Sequence, residues 1–186
     1  MTGEFPSWMR LKRETVYDTR FTTLYSDTVE VKPGIIIDDF SVIELADGVM
    51  VVATDAQDRI ISFHEYKYPP NKVFLGFPAG AIDDGETPLE AAARELREET
   101  GYESTELEYI AALHPFPSKI SHISHIVRAK NARKVANIQH EQTESIGEVI
   151  LIDPKDIVRM QEEGDLNTTY ILATLALTHP EYLRRS

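Results

Sequence analysis

Up to Gly80 the hydrophobic positions fall in short β-type runs broken by turn residues. From Thr15 to Val31 the chain is rich in Thr, Tyr, Val and Phe, and a Lys-Pro-Gly break at Lys32 to Gly34 closes the segment, which predicts a pair of N-terminal strands. The runs GIIIDDFSVIEL, GVMVVATDA and RIISFHEYKY follow, separated by Asp-Gly and Asp-Ala-Gln-Asp turn signals. They predict a mostly antiparallel meander. NKVFLGFPAG adds a short strand that ends at Gly80.

After the turn DDGETP the period changes to that of a helix. Thr87 can cap it, Pro88 suits the first helical position, Glu90 completes a capping box, and Gly101 supplies a stop. At about 100° per residue, Leu89, Ala92, Ala93 and Leu96 form a stripe expected to face the sheet. Glu95 and Glu99 share a second flank, and Arg94 and Glu98 a third. Beyond the helix, LEYIAALH, ISHIVRAK and EVILID read as strands. NARKVANIQHEQTESIG reads as a long polar loop with short strands inside it. A helix is predicted from Asp153 or Pro154 to about Glu163, and a last one within LNTTYILATLALTHPEYL, broken at Pro180. Strands without regular strand-helix alternation predict an α+β fold, an α/β/α sandwich with a mixed central sheet and N-terminal antiparallel strands. No Gly-x-Gly-x-x-Gly or Walker pattern is present.

Composition narrows the chemistry. With 186 residues, 42% of them hydrophobic, the chain can bury a full core. The net charge of -12 argues against a nucleic-acid partner, since phosphate binding needs clustered Lys and Arg. A phosphate ligand would then require recruited cations. The absence of cysteine excludes disulfides and thiolate chemistry, and no apolar run reaches the length of a membrane span. No membrane partner and a cytoplasmic protein are expected.

Against that background, the stretch GAIDDGETPLEAAARELREETGY concentrates seven carboxylates and two arginines. Like charges at i, i+4 cost only about 0.2 to 0.5 kcal/mol per pair, so repulsion alone decides nothing. A strand-end carbonyl at Ala79 with Glu95 and Glu99 makes an all-oxygen set suited to magnesium, which takes one or two carboxylates and keeps waters and substrate phosphates.

The same stretch resembles the Nudix hydrolase signature G-x5-E-x7-R-E-U-x-E-E-x-G-U, with U a bulky apolar residue, through Gly80, Glu86, Arg94, Glu95, Leu96, Glu98, Glu99, Gly101 and Tyr102. The resemblance runs from about Thr15 to Leu177 and is nearest to the ADP-ribose and nucleoside-diphosphate-sugar pyrophosphatases. HEYKYPPNKVFLGFPAG stands where those proteins carry a QYR strand and LPAG, and Pro117 where they commonly carry a proline. It implies a Mg2+ (or Mn2+) site formed by Ala79 through its carbonyl, Glu95 and Glu99, with Glu98 as a further ligand or a support through bound water. It implies that Arg94 orients Glu86, that Lys67 and Pro117 contact substrate, and that the reaction yields a nucleoside monophosphate and a sugar phosphate. Lys67 departs from the usual arginine and Gly76 from a common glutamate, which leaves GDP-mannose as a rival substrate. By the same resemblance, residues 1–34 form a strand extension and 35–186 the hydrolase domain, with the extension joining a homodimer.

The general base implied by the resemblance is a glutamate on a loop after the box. Glu144 is favoured, with Glu141 and Glu148 as alternatives. His122 and His125, near His114 and His140, are spaced so that a single strand would send the first two to opposite faces, which argues against a shared metal site. Trp8, Phe21, Tyr25 and Phe116 are candidates to stack on a base. A reading of another class is an ADP-ribose-binding sensor that keeps the fold without turnover.

Overall fold

The computed structural model describes residues 7–138 and 145–183. Packing divides the chain into two compact units, Met1–Ala46 with His114–Ile123, and Asp47–Leu113 with Ser124–Ser186. Along the chain run β1 (Met9–Asp18), β2 (Thr23–Lys32), β3 (Ile35–Glu44), β4 (Gly48–Thr54), β5 (Ile60–Lys67), β6 (Lys72–Gly76), β7 (Ala79–Ala81) and α1 (Pro88–Thr100). They are followed by β8 (Tyr102–Glu103), β9 (Glu106–Leu113), β10 (Ile120–Ser121), β11 (Ser124–Lys130), β12 (Arg133–Lys134), β13 (Ile146–Ile152), α2 (Ile157–Glu163) and α3 (Thr169–Thr178).

In the first unit, β1, β2 and β3 form an antiparallel sheet, and β10 adds to β3 in parallel. Arg13 pairs with the buried Asp27 across β1 and β2, donating from Nε and Nη2 at 2.8 and 2.7 Å. The guanidinium also lies 4.1 Å from the Tyr25 ring centroid, so the one buried carboxylate of this sheet is charge-paired and does not remain as an isolated ion.

The second unit is built on a mixed sheet in the order β13-β5-β4-β11-β9. β4 runs parallel to β11 and antiparallel to β5. β5 stays beside β4 only at Ile60 and Ile61, then turns to pair with β6, and β7 takes the vacated place beside Gly48 to Met50. This split brings the segment after β6 back into the sheet. One face of the sheet buries Val49, Val51, Ile61 and Val127 against Ala91, Ala92 and Leu96 of α1. The other buries Val52, Ile60, Leu75 and Phe77 against Ile157, Ile171 and Leu175 of α2 and α3. The expected α/β/α sandwich with a mixed sheet is therefore the architecture of this unit.

Two expectations change. The meander breaks at Leu45 to Asp47, because β3 pairs with β2 and β10 while β4 pairs with β5, β7 and β11. The first strand starts at Met9, earlier than composition suggested. No described helix is long and apolar enough to cross a membrane.

Candidate active site

Local chemistry places α1 with little freedom. Thr87 caps it by accepting from the Glu90 N–H, and the Glu90 carboxylate accepts from the Thr87 N–H at 2.9 Å. Pro88 occupies the first turn and Gly101 ends the helix at φ 74°. A side chain at Gly101 would also meet the Ala136 carbonyl oxygen at 2.2 Å.

The buried stripe differs from the expected one. Ala91, Ala92, Glu95, Leu96, Glu99 and Thr100 face inward, whereas Leu89 is 38% exposed and Ala93 is exposed. Glu95 and Glu99 thus lie on the buried face and not on a separate flank. The reason is the surface opposite, which at β7 is nearly bare backbone. A Cβ built on Gly80 would fall 1.9 Å from Glu95 Oε1, so the carboxylate fills the volume a side chain would take. Glu99 Oε2 accepts from the Ala79 N–H at 2.9 Å.

Arg94 joins the remaining acidic groups. Its Nε and Nη2 donate to the two oxygens of Glu86 at 3.0 and 2.9 Å, and Nη2 also donates to the Ala81 carbonyl at 2.9 Å. Nη1 donates to Glu95 Oε1 at 2.7 Å and reaches Glu98 Oε2 at 3.4 Å. The fork-like bond from Arg94, with a further one from the Asp83 N–H, holds the Glu86 carboxyl below the usual carboxylate range. The bond to Glu86, joined by that to Glu95, raises the Arg94 guanidinium above its ordinary value. Glu98 is the outlying member, with its side chain 45% exposed.

Among the described residues no three carboxylate or imidazole side chains close into a metal cage. What the fold offers is an open oxygen edge: two carboxylates one turn apart, 7% and 4% exposed, laid against the β7 backbone. Such a donor set suits a hard divalent cation that keeps waters and takes substrate phosphates, and does not suit a closed structural zinc site.

The other sequence candidates belong to other elements. Lys67 ends β5, forms an ion pair with Glu65, and lines an apolar cleft of about 370 Å³ with Pro69, Phe74, Gly76 and Tyr170. Gly76 has no room for a glutamate, since a Cβ there would meet the Phe63 ring at 2.6 Å. Pro117 belongs to the first unit, in a cleft of about 570 Å³ with Trp8, Phe40 and Lys119. Glu144 and Glu141 lie outside the described residues, while Glu148 is exposed at an irregularity in the pairing of β13 with β5. His122 donates from Nδ1 to the Ala46 carbonyl at 2.6 Å. Two features escaped the sequence: the Ala81 carbonyl, a backbone group without a residue signature, and a Tyr109–His125 pair that only strand register brings together.

The NUDIX domain model matches residues 44–174, more than half of the chain. The chain belongs to the Nudix family. Nudix enzymes are hydrolases of phosphorus anhydrides that use divalent metal ions, and this chain is an enzyme of that class. The ADP-ribose pyrophosphatase of Bacillus subtilis (strain 168) is 26% identical over 170 residues, covering 90% of this chain and 91% of its own. The methanol dehydrogenase activator of Bacillus methanolicus is 31% identical over 127 residues, 68% of each chain. A crystal structure of an ADP compounds hydrolase superposes with a TM-score of 0.82 at 26% identity, covering 98% of this Nudix chain and 97% of its own.

Proposed function

We propose that this Nudix hydrolase is a magnesium-dependent pyrophosphatase that cleaves ADP-ribose, or a closely related nucleoside diphosphate sugar, to a nucleoside monophosphate and a sugar phosphate. The observation that carries the reading is the placement of Glu95 and Glu99 on the bare backbone of Ala79 and Gly80, beside a cation-hungry acidic chain. The likeness to an ADP-ribose pyrophosphatase over nine-tenths of the chain supports the choice of substrate.

In this reading Glu95 and Glu99, with the Ala79 carbonyl, would hold the cation, and Glu98 would support it from the exposed side. Mn2+ substitutes for Mg2+ in the same oxygen set. Bound there, a divalent cation would neutralise the bridging phosphates and lower the pKa of the attacking water. Arg94 fixes the helix carboxylates relative to the Asp83–Glu86 turn. Glu144 takes the proton from water as its oxygen bonds to one phosphorus, and the bridging P–O bond breaks to release the second phosphate. Lys67 contacts the substrate.

A homodimer accompanies this reading. β1 is an outer strand of its sheet, and Met9, Leu11, Val16 and Tyr17 on it are about half exposed or more, an apolar edge that a second copy would cover. Light scattering at micromolar concentration checks the mass. For the activity, purified protein with Mg2+ is offered ADP-ribose, ADP-glucose, UDP-glucose, GDP-mannose and diadenosine polyphosphates, and phosphate is measured after a coupled phosphatase. ADP-ribose is expected to lead, and Glu99→Gln to abolish turnover. Preference for GDP-mannose would replace the substrate, and tight ADP-ribose binding without turnover on any compound would make the protein a sensor.

A further inference from the structure

Strand register carries a second polar group to the same face of the sheet as Glu95. Gly80 pairs with Val49, and Val49 pairs with His125 on the other side of β4. His125 in turn pairs with Ala112 of the edge strand β9. Paired residues in a sheet project to the same side, so Ala112, His125, Val49 and Gly80 form one row. Val49 packs in the core under α1, and Glu95 lies over Gly80, which identifies that side as the α1 face. His125 therefore stands two strands from Gly80, about 10 Å at the usual strand spacing, at the start of β11. An extended nucleoside diphosphate sugar is longer than that interval.

The side chain is oriented and open. Tyr109 Oη lies 3.1 Å from His125 Nδ1, with ring centroids 5.8 Å apart. The pairing of β9 with β11 skips Ile110 between Tyr109 and Ala111, and this irregularity swings Tyr109 diagonally toward the histidine. His125 is half-buried, Tyr109 is 44% exposed, and Ala112 beside them is small and exposed. Nothing in the packing of the core requires an imidazole hydrogen-bonded to a phenol at such a place.

We infer that His125 is a substrate-contacting residue of this enzyme, donating from Nε2 to an oxygen of the bound nucleoside diphosphate sugar, and that Tyr109 is the positioning residue that sets its tautomer. A Tyr109 hydroxyl donating to Nδ1 puts the ring proton on Nε2 and turns that N–H outward as a donor. In a chain of net charge -12 an N–H donor on this row gives the anionic substrate a favourable contact that the carboxylates cannot supply. The inference rests on the pyrophosphatase reading for its ligand.

The test uses the full-length protein with His125→Ala, His125→Gln, His125→Asn and Tyr109→Phe. Steady-state kinetics with ADP-ribose are run beside calorimetric binding of its non-hydrolysable α,β-methylene analogue in Mg2+. Mn2+ affinity, read by electron paramagnetic resonance, serves as a control for the acidic edge. Gln places an amide N–H near the position of Nε2, whereas Asn keeps only the position of Nδ1 and its contact to Tyr109. The expected result is about a tenfold or greater loss of analogue affinity and kcat/KM in His125→Ala, a partial return in His125→Gln but not in His125→Asn, a few-fold loss in Tyr109→Phe, and unchanged Mn2+ binding. Rescue by Asn and not by Gln, or affinities within twofold of wild type throughout, would overturn the assignment. Should wild type hydrolyse none of the sugar nucleotides, the pyrophosphatase reading fails, and the analogue affinities still decide the case of His125.

Discussion

The Glu95 carboxylate occupies the space that a side chain on Gly80 would need, with Oε1 1.9 Å from an ideal Cβ position. A glycine on one element and an acid on another are thus complementary parts of one surface. Replacing either alters the other.

Gly80→Ala is expected to displace the Glu95 carboxylate while leaving α1 in place, because the colliding atoms are the end of a flexible side chain. Mn2+ affinity and kcat/KM should each fall roughly 10- to 100-fold, with little change in thermal midpoint. A metal titration followed by electron paramagnetic resonance, run beside calorimetry, checks this. Unchanged affinity would show that the carboxylate has another way to hold the ion.

Arg94→Lys keeps the charge but gives up the planar fork that reaches Glu86, Glu95 and the Ala81 carbonyl together. A loss of roughly 10- to 100-fold in kcat/KM is expected, and overexpression conditions that favour folding should not restore it.

The same pair gives stability a defined dependence on acid. Arg94 depresses the folded-state pKa of Glu86, so the unfolded chain binds this proton more readily than the folded one. The contribution is fully present above the ordinary glutamate value, about 4.3, and is lost as the pH falls through the depressed value. The stability gap between wild type and Glu86→Gln, measured by urea unfolding, should therefore be widest near neutrality and shrink below about pH 4. A gap that is constant from pH 7 to pH 3 would remove the ion pair as its source.

Glu144→Gln should lower kcat about 100-fold with metal binding intact, the usual scale for loss of a general base. Glu148→Gln, which alters an exposed residue of β13, should remain within a few-fold of wild type. The reverse order of effects would move the base to Glu148.

Gly101→Ala should cost about 2 kcal/mol or more, since it combines a left-handed backbone with a collision against the Ala136 carbonyl. Chemical denaturation checks it. The damage should appear as lost stability before lost activity in the surviving folded fraction.

The ends of α1 were legible because Thr87, Pro88, Glu90 and Gly101 act through local hydrogen bonds and backbone angles that a linear sequence encodes. Its inner face was not. A helical wheel places Leu89 and Ala93 inward by polarity alone, but the partner surface is the backbone of Ala79 and Gly80, which accommodates Glu95 and Glu99. Which strand a helix faces is a long-range fact. The same holds for the parallel pairing of β4 with β11, which carries His125 into line with Gly80. Parity along one strand could not treat His122 and His125 together, because His122 falls between β10 and β11.

Most of the acidic edge comes from one continuous piece of chain. Ala79, Gly80, Ala81, Asp83, Glu86, Arg94, Glu95 and Glu99 bond or abut one another across a strand, a turn and a helix, and β4 supplies the neighbouring rail. Contacts so close in sequence pay little loop-closure entropy. The piece can consequently form early in folding, and because one short run of sequence specifies the carboxylates, their arginine and the backbone beneath them, a single local change reaches every member at once.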